Sequence, residues 1–250
     1  MVEEKQKNFG EFIDAINVAE DILFVREESA IRSWCISGTM VVSSIGTYNG
    51  EEAMNFPSAF KIPSTKMKEL YKYINKDMAH YMEDNSLIVE SKNRKFSFRL
   101  KDIEESEKRI PNPQADYGKA LFHLSNDSID YILDQARFQD SSIVQISVTD
   151  KEAEILVKGA VPGNGGVEKV DLLRQIDEPY KIMLPKDFYM LLNKIRDGGL
   201  DIYLTHGEKT PIKMVSKNNI YSVQYYLAPR LGEPLKDIKK AEKTKKVKEW

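Results

Sequence analysis

The sequence predicts an α+β fold made of two like halves, each a helix-plus-antiparallel-sheet unit. Three observations carry that reading. First, the stretch Phe60 to Ile74 has a second copy in Tyr180 to Ile195: a short apolar strand, a helix-start signal, then a helix with one apolar face. Ile62 matches Ile182 at an offset of 120 (182 − 62), and Leu70 with Leu191 gives 121 (191 − 70). Second, the strand-like runs between the helices are joined by turns too short for parallel crossovers, so the sheets are antiparallel. Third, residues 102 to 119 are charged, hold Pro111 and Pro113, and lose all periodicity, as a connector between halves does.

In chain order, Phe9, Phe12, Ile13 and Ile16 form a helical apolar stripe. Ile22 to Val25, Ala30 to Ile36 and Met40 to Thr47 read as strands, with Ser37-Gly38 as a turn between the last two. Ser64 caps the next helix, whose Met67, Leu70, Tyr71 and Ile74 face inward while Lys68, Lys72 and Lys76 stand at i, i+4, i+8 on the other side. Leu87 to Ser91 and Phe96 to Lys101 are expected strands about a turn at Lys92 to Lys95.

The second half repeats the order. Leu121 to Leu124 is a strand, Ser125 a cap, and Ile129, Ile132, Leu133 and Ala136 a helical stripe that matches Phe9, Phe12, Ile13 and Ile16 at an offset of 120 (129 − 9). Ile143 to Val148 and Ala153 to Val157 are strands, Gly163 to Gly166 a loop, and Val167 to Ile176 a further strand. After the second copy of the repeat, Leu200 to Thr205, Ile212 to Ser216 and Tyr221 to Leu227 form a meander. The expected domains are therefore residues 1–101 and 120–235, joined by the connector 102–119 and followed by a basic tail at 236–250.

Composition bounds the function. With 41% hydrophobic and 30% charged residues the chain is that of a soluble globular protein, and halves of this size can each close a core. No apolar run is long enough to span a membrane, and no secretion signal is visible. The one cysteine, Cys35, rules out a disulfide framework and fits an intracellular, reducing compartment. The formal net charge is −2, with the lysines gathered in patches and in the tail, where seven lysines stand among the last fifteen residues.

Signals for chemistry are weak. Cys35 and the three histidines, His80, His123 and His206, are not brought together by any motif, and Cys35 lies within an apolar strand pattern. The Gly163 to Gly166 loop lacks the Gly-Lys-Ser/Thr ending and the helix that a phosphate cradle needs. No carboxylate set has metal-ligand spacing, so neither a catalytic residue nor a cofactor is assigned.

The string Tyr225 to Leu231, Y-Y-L-A-P-R-L, follows T-P-I-K-M at Thr210 to Met214. Together they resemble the C-terminal signature of DNA polymerase sliding clamps of the proliferating cell nuclear antigen type, and Ala228 and Pro229 match that motif letter for letter. The turn Ser37-Gly38-Thr39-Met40 looks more like that of clamps from some large phages. The resemblance implies the DNA clamp fold, a trimeric ring around duplex DNA, no enzymatic activity, an ATP-driven loader, and the tethering of DNA polymerase and other replication enzymes by short hydrophobic motifs. It places the partner groove at Ile36, Met40, Ile110, Pro111, Pro211, Leu227, Ala228 and Pro229. Lysine and arginine suffice for sliding, because phosphate contacts carry no base information. Lys68, Lys72 and Lys76, with Lys186, Lys194 and Arg196 on the second copy, are the expected DNA contacts. Glu11 and Asp14 on the first helix, and Asp127 and Asp134 on the helix that opens the second half, lie away from the apolar stripes. That charge favours an alternative: a non-ring module of the same fold that binds partner peptides without encircling DNA. An enzyme assembled from residues distant in sequence is the other alternative.

Overall fold

The computed structural model describes residues 10–18, 21–37, 39, 41–50, 58–63, 79–84, 86–99, 103, 116–141, 143–159, 165–195, 198–204 and 210–229. Helix α1 covers residues 10–16. Strands β1 (Asp21–Glu27), β2 (Ala30–Ile36), β3 (Val42–Tyr48), β4 (Ala59–Pro63), β5 (Ala79–Glu83), β6 (Ser86–Ser91) and β7 (Arg94–Arg99) follow. The second half runs β8 (Phe122–Leu124), α2 (Asn126–Phe138), β9 (Ile143–Val148), β10 (Glu152–Lys158), β11 (Gly165–Asp171), β12 (Tyr180–Leu184), α3 (Asp187–Leu192), β13 (Leu200–Tyr203), β14 (Ile212–Lys217) and β15 (Tyr221–Leu227). The fold is α+β, and the strands pair antiparallel throughout the described residues. No helix among the described residues is long and apolar enough to cross a membrane.

The duplication is written into the hydrogen-bond ladders. The sheet order β4-β1-β2-β3 recurs as β12-β9-β10-β11, and the meander β5-β6-β7 recurs as β13-β14-β15. Ile31↔Tyr48 becomes Ala153↔Val170, and Ile22↔Ile62 becomes Val144↔Leu184, all displaced by 122 residues (153 − 31; 184 − 62). In the meanders, Glu90↔Lys95 becomes Lys217↔Ser222, a displacement of 127 (217 − 90; 222 − 95). The structural partner of Ile62 is thus Leu184, two residues beyond the Ile182 that sequence matching selects. A slip of two preserves which face a strand residue occupies, so the apolar pattern cannot detect it.

Several sequence expectations change. Gly165 and Gly166 lie in β11 rather than in a loop, and that strand ends at Asp171 instead of running to Ile176. A Cβ at Gly166 would lie 2.6 Å from Cγ of Gln135 on α2, so the Gln135 side chain would have to shift to admit one. Helix α3 stops at Leu192, short of Ile195, and Lys194 and Ile195 continue in a turn. Strand β7 begins at Arg94, inside the expected turn, and β5 had no sequence counterpart. Ser125 does cap α2: its hydroxyl accepts from the Ser128 amide at 3.1 Å. The Ser64-capped helix, Gly163 and Asn164, most of the connector and the tail lie outside the described residues.

One face of the long sheet β4-β1-β2-β3-β15-β14-β13-β8 packs against α1 and holds the core; the other faces outward. Ser44 Oγ donates to Ile16 O at 2.6 Å, and the fully buried Tyr225 hydroxyl donates to Ala15 O at 2.8 Å. Both satisfy carbonyls at the end of α1 that the helix itself leaves open. The β3–β15 junction, where the two halves join, is therefore clamped to α1 from both strands.

Candidate functional site

Two surfaces follow from this frame: the exposed side of the helices and the outward face of the long sheet. On the helical side, Lys186 is exposed at the start of α3. Lys194 is not a free cation. Its Nζ donates to Asp14 O at 2.9 Å and lies 3.8 Å from Asp14 Oδ1, with the side chain 15% exposed, so it ties the last turn of α1 to the end of α3. Helix α2 presents Asp127, Asp130 and Asp134 to solvent, and Arg137 donates to Asp134 Oδ1 at 3.1 Å and to Asn193 Oδ1 at 3.4 Å. Phe138, at the end of α2, is 83% exposed. Lys68, Lys72, Lys76 and Arg196 lie outside the described residues.

The outward face of the long sheet carries a second apolar cluster, separated from the core by the sheet itself: Ile45, Tyr117 and Tyr226, with Trp34 and Tyr203 packed against them. Alternation dictates its membership. Ser33 and Cys35 point inward and are buried, so Trp34 between them points outward. Tyr225 fills the core, so its neighbour Tyr226 emerges on the opposite face. Register then aligns them: Ile45 pairs with Trp34, and Tyr226 with Lys213, which pairs in turn with Tyr203.

Tyr117 arrives from the end of the connector and lies over this row, its ring 6.0 Å from that of Tyr226 and its hydroxyl donating to Pro211 O at 2.8 Å. The Lys213 ammonium sits 5.1 Å from the Tyr203 ring centre and 5.8 Å from that of Tyr117, a cation held over two aromatic faces. Burial pushes the Tyr226 phenol up to about 12, reinforced by Tyr117. Burial also raises Tyr117 and Tyr203, the latter helped by Asp201. All three phenols therefore stay protonated across ordinary pH and can donate hydrogen bonds. The Tyr117 and Tyr226 hydroxyls already donate to Pro211 O and Gln224 Oε1, so the result is an aromatic floor with uncharged phenols and one cation, chemistry suited to an apolar or aromatic side chain.

Of the residues expected in the groove, Ile36 is 38% exposed on the outward face of β2, Pro211 meets the cluster through its carbonyl, which accepts from Tyr117, and Pro211, Ala228 and Pro229 are half-buried. Ala228 N donates to Val41 O at 2.8 Å, which fixes the strand end beside the β2–β3 turn. Leu227 is fully buried in the core and presents no surface. Met40, Ile110 and Pro111 lie outside the described residues. Trp34, Ile45, Tyr117, Tyr203 and Tyr226 were not foreseen, although alternation around Trp34 and the Tyr225-Tyr226 pair carried the signal.

The nucleophile reading finds no support in the described atoms. Cys35 is buried on the inward face, whereas His123 lies on the other side of the same sheet with Nδ1 2.8 Å from Asp201 Oδ1. The side chains of His80 and His206 lie outside the described residues.

No protein-family model and no curated protein matches the sequence. Among solved structures the chain is similar to the proliferating cellular nuclear antigen of Entamoeba histolytica, with a TM-score of 0.66 and 18% identity over 90% of this chain and 96% of that one. The chain therefore has a proliferating-cell-nuclear-antigen-like fold.

Proposed function

We propose that this chain is one subunit of a head-to-tail ring that encircles duplex DNA and holds replication enzymes on it. The observation that carries the reading is a pair of open sheet edges. Within the chain, β3 at the end of the first four-strand set pairs with β15 at the end of the second meander. Their counterparts in the repeat, β11 and β7, each stand at a sheet edge and are paired on one side alone among the described residues, β11 with β10 and β7 with β6; just past β11, Leu172 bridges Phe122 of β8. An unpaired edge is a template for another chain. If β7 of one copy joins β11 of the next as β15 joins β3, the contact is heterologous, and such contacts close into a ring when the rotation allows. We take the closed form to be three chains, with domains at 1–101 and 120–235.

Function then follows from topology and involves no bond making. Closure prevents escape from DNA, and weak, salt-screened phosphate contacts permit sliding. We assign those contacts to Lys68, Lys72, Lys76, Lys186 and Arg196, and the outward aromatic cluster to short hydrophobic segments of polymerase and other replication enzymes. An ATP-driven loader would open the ring.

The test is native mass at micromolar concentration, with retention on nicked circular duplex after loading. We expect a three-chain species, held on the circle and released when the circle is linearised. A monomer under all conditions sinks the ring.

The acidic exposed face of α2 favours a second reading, a peptide-binding module that does not encircle DNA. Both readings need the aromatic cluster. Tyr226→Ala is expected to weaken a fluorescent hydrophobic clamp-binding peptide by about tenfold or more, as loss of a central aromatic anchor does. Unchanged affinity would remove the cluster from either reading, and a monomer that still binds the peptide would select the second.

A further inference from the structure

The repeat fixes the proposed seam to the residue. Moving the β3–β15 register by +122 on one side and −127 on the other turns Ser44↔Tyr225 into Gly166 opposite Phe98, and Thr47↔Ser222 into Lys169 opposite Lys95. We propose that Lys95 of one copy directly faces Lys169 of the next, and that this like-charge pair makes closure of the assembly depend on ionic strength. The proposal rests on the ring reading, and it concerns how that ring is regulated.

The inward positions of the seam agree with this register. Phe96 and Phe98 are partly buried and turned toward the core, where their counterparts Val223 and Tyr225 are fully buried, so Lys95, next to Phe96 in the strand, must point outward. On β11, Gly166 is buried under α2, whereas Lys169 is on the outward face. The two lysines therefore emerge on the same side of a continuous sheet, with opposed Cβ atoms about 5 Å apart.

The junction within the chain has no such pair, because Thr47 and Ser222 are neutral. At the open edges each lysine is already held by carboxylates of its own chain. Lys169 Nζ lies 2.6 Å from Glu152 Oε1 and 3.0 Å from Glu154 Oε1. Lys95 Nζ lies 3.1 Å from Glu83 Oε2 and 5.7 Å from the centre of the Tyr81 ring, and Tyr81 donates to Glu90 Oε2 at 2.6 Å. These bonds raise both lysines, so both are charged when the edges meet.

Across the seam the directly paired row then reads Glu154, Lys169, Lys95, Glu90: negative, positive, positive, negative. Like charges directly opposite one another weaken a strand pair. Screening relieves them, since the Debye length falls from about 30 Å at 0.01 M salt to about 10 Å at 0.1 M. Closure should therefore tighten as salt rises through this range, while phosphate contacts weaken. The two dependences run in opposite directions, which would let one ionic condition close the ring and loosen its hold on DNA.

The test is a double-mutant cycle on the full chain, reading the association constant by native mass and sedimentation at low and high salt. Lys169→Thr and Lys95→Ser install the residues that the chain itself uses at the neutral junction, and Lys169→Gln controls for side-chain length. At low salt each single change is expected to tighten assembly by about two- to fivefold per contact, with the double change giving little beyond either single one. At high salt the differences should vanish. Additive effects, or singles that weaken assembly at low salt, would overturn the facing pair while leaving the ring intact. A wild-type chain that is monomeric at every salt concentration overturns both the pair and the ring.

Discussion

Gly46→Ala is expected to lower the free energy of unfolding by roughly 2–3 kcal/mol, which is a large cost for a single methyl group. A Cβ at Gly46 would lie 2.6 Å from Phe12 Cε2, 2.7 Å from Ser33 Oγ and 2.9 Å from Ile16 Cδ1. Phe12 cannot swing aside. It is fully buried, with ring centres at 5.3 Å to Tyr48, 5.7 Å to Tyr221 and 6.5 Å to Phe24, so its site is filled on several sides. The alternative is to lift α1 from the sheet, and that stretches the bonds from Ser44 to Ile16 O and from Tyr225 to Ala15 O. Urea unfolding with an unchanged m-value would measure the cost. Phe12→Leu should recover part of it in the double variant, because the two sites share one contact. A loss below about 0.5 kcal/mol would mean that α1 sits on β3 with room to spare.

Such a contact shows what sequence could and could not supply. Strands with strict alternation were legible: Ala30–Ile36, Ile143–Val148 and Tyr221–Leu227 fall where the apolar period of two puts them. Strand β5, Ala-His-Tyr-Met-Glu, was not, because it has no β-branched residue and follows a stretch patterned as helix. The double glycine at Gly165-Gly166 signals a loop locally, but both residues pair with β10 in β11, where Gly165 approaches the Val157 carbonyl and Gly166 approaches Gln135 of α2. Gly46 likewise carries no local mark of its role, since the atoms it makes room for belong to α1 and β2.

The candidate surfaces divide in the same way. Sequence expected Lys194 on a helix, whereas it lies in the turn after α3 and reaches Asp14 in the last turn of α1. The aromatic cluster draws Trp34, Ile45, Tyr203 and Tyr226 from four strands, and only the order β2-β3-β15-β14-β13 makes them neighbours. Within a strand, parity was enough to sort Tyr226 outward and Leu227 inward, and reading the signature as a block of letters obscured that alternation. The duplication itself was visible because both halves keep the same apolar stripes, whereas the offset of 122 required the ladders.

Phe98→Asp is expected to abolish assembly while leaving the chain folded, with association weakened by at least about a hundredfold, or roughly 3 kcal/mol. In the isolated chain Phe98 sits on the edge strand β7 and is only partly buried, so an aspartate there remains reachable by water. In the proposed seam it takes the place that Tyr225 holds inside the chain, turned inward against Gly166 and the Gln135 side chain that lies over it. A carboxylate closed into that position loses its water and gains no partner from Gly166. Native mass should therefore fall to the single chain, with the far-ultraviolet spectrum and thermal midpoint close to wild type. Retention on nicked circular DNA should disappear with it, even though Phe98 is on the sheet rather than among the cations assigned to phosphate. That second loss tests the mechanism: a variant that is monomeric yet still held on the circle would be binding DNA by contact alone, and closure would not be the source of the hold. A variant that keeps the wild-type mass would instead place the contact between copies somewhere other than β7 and β11.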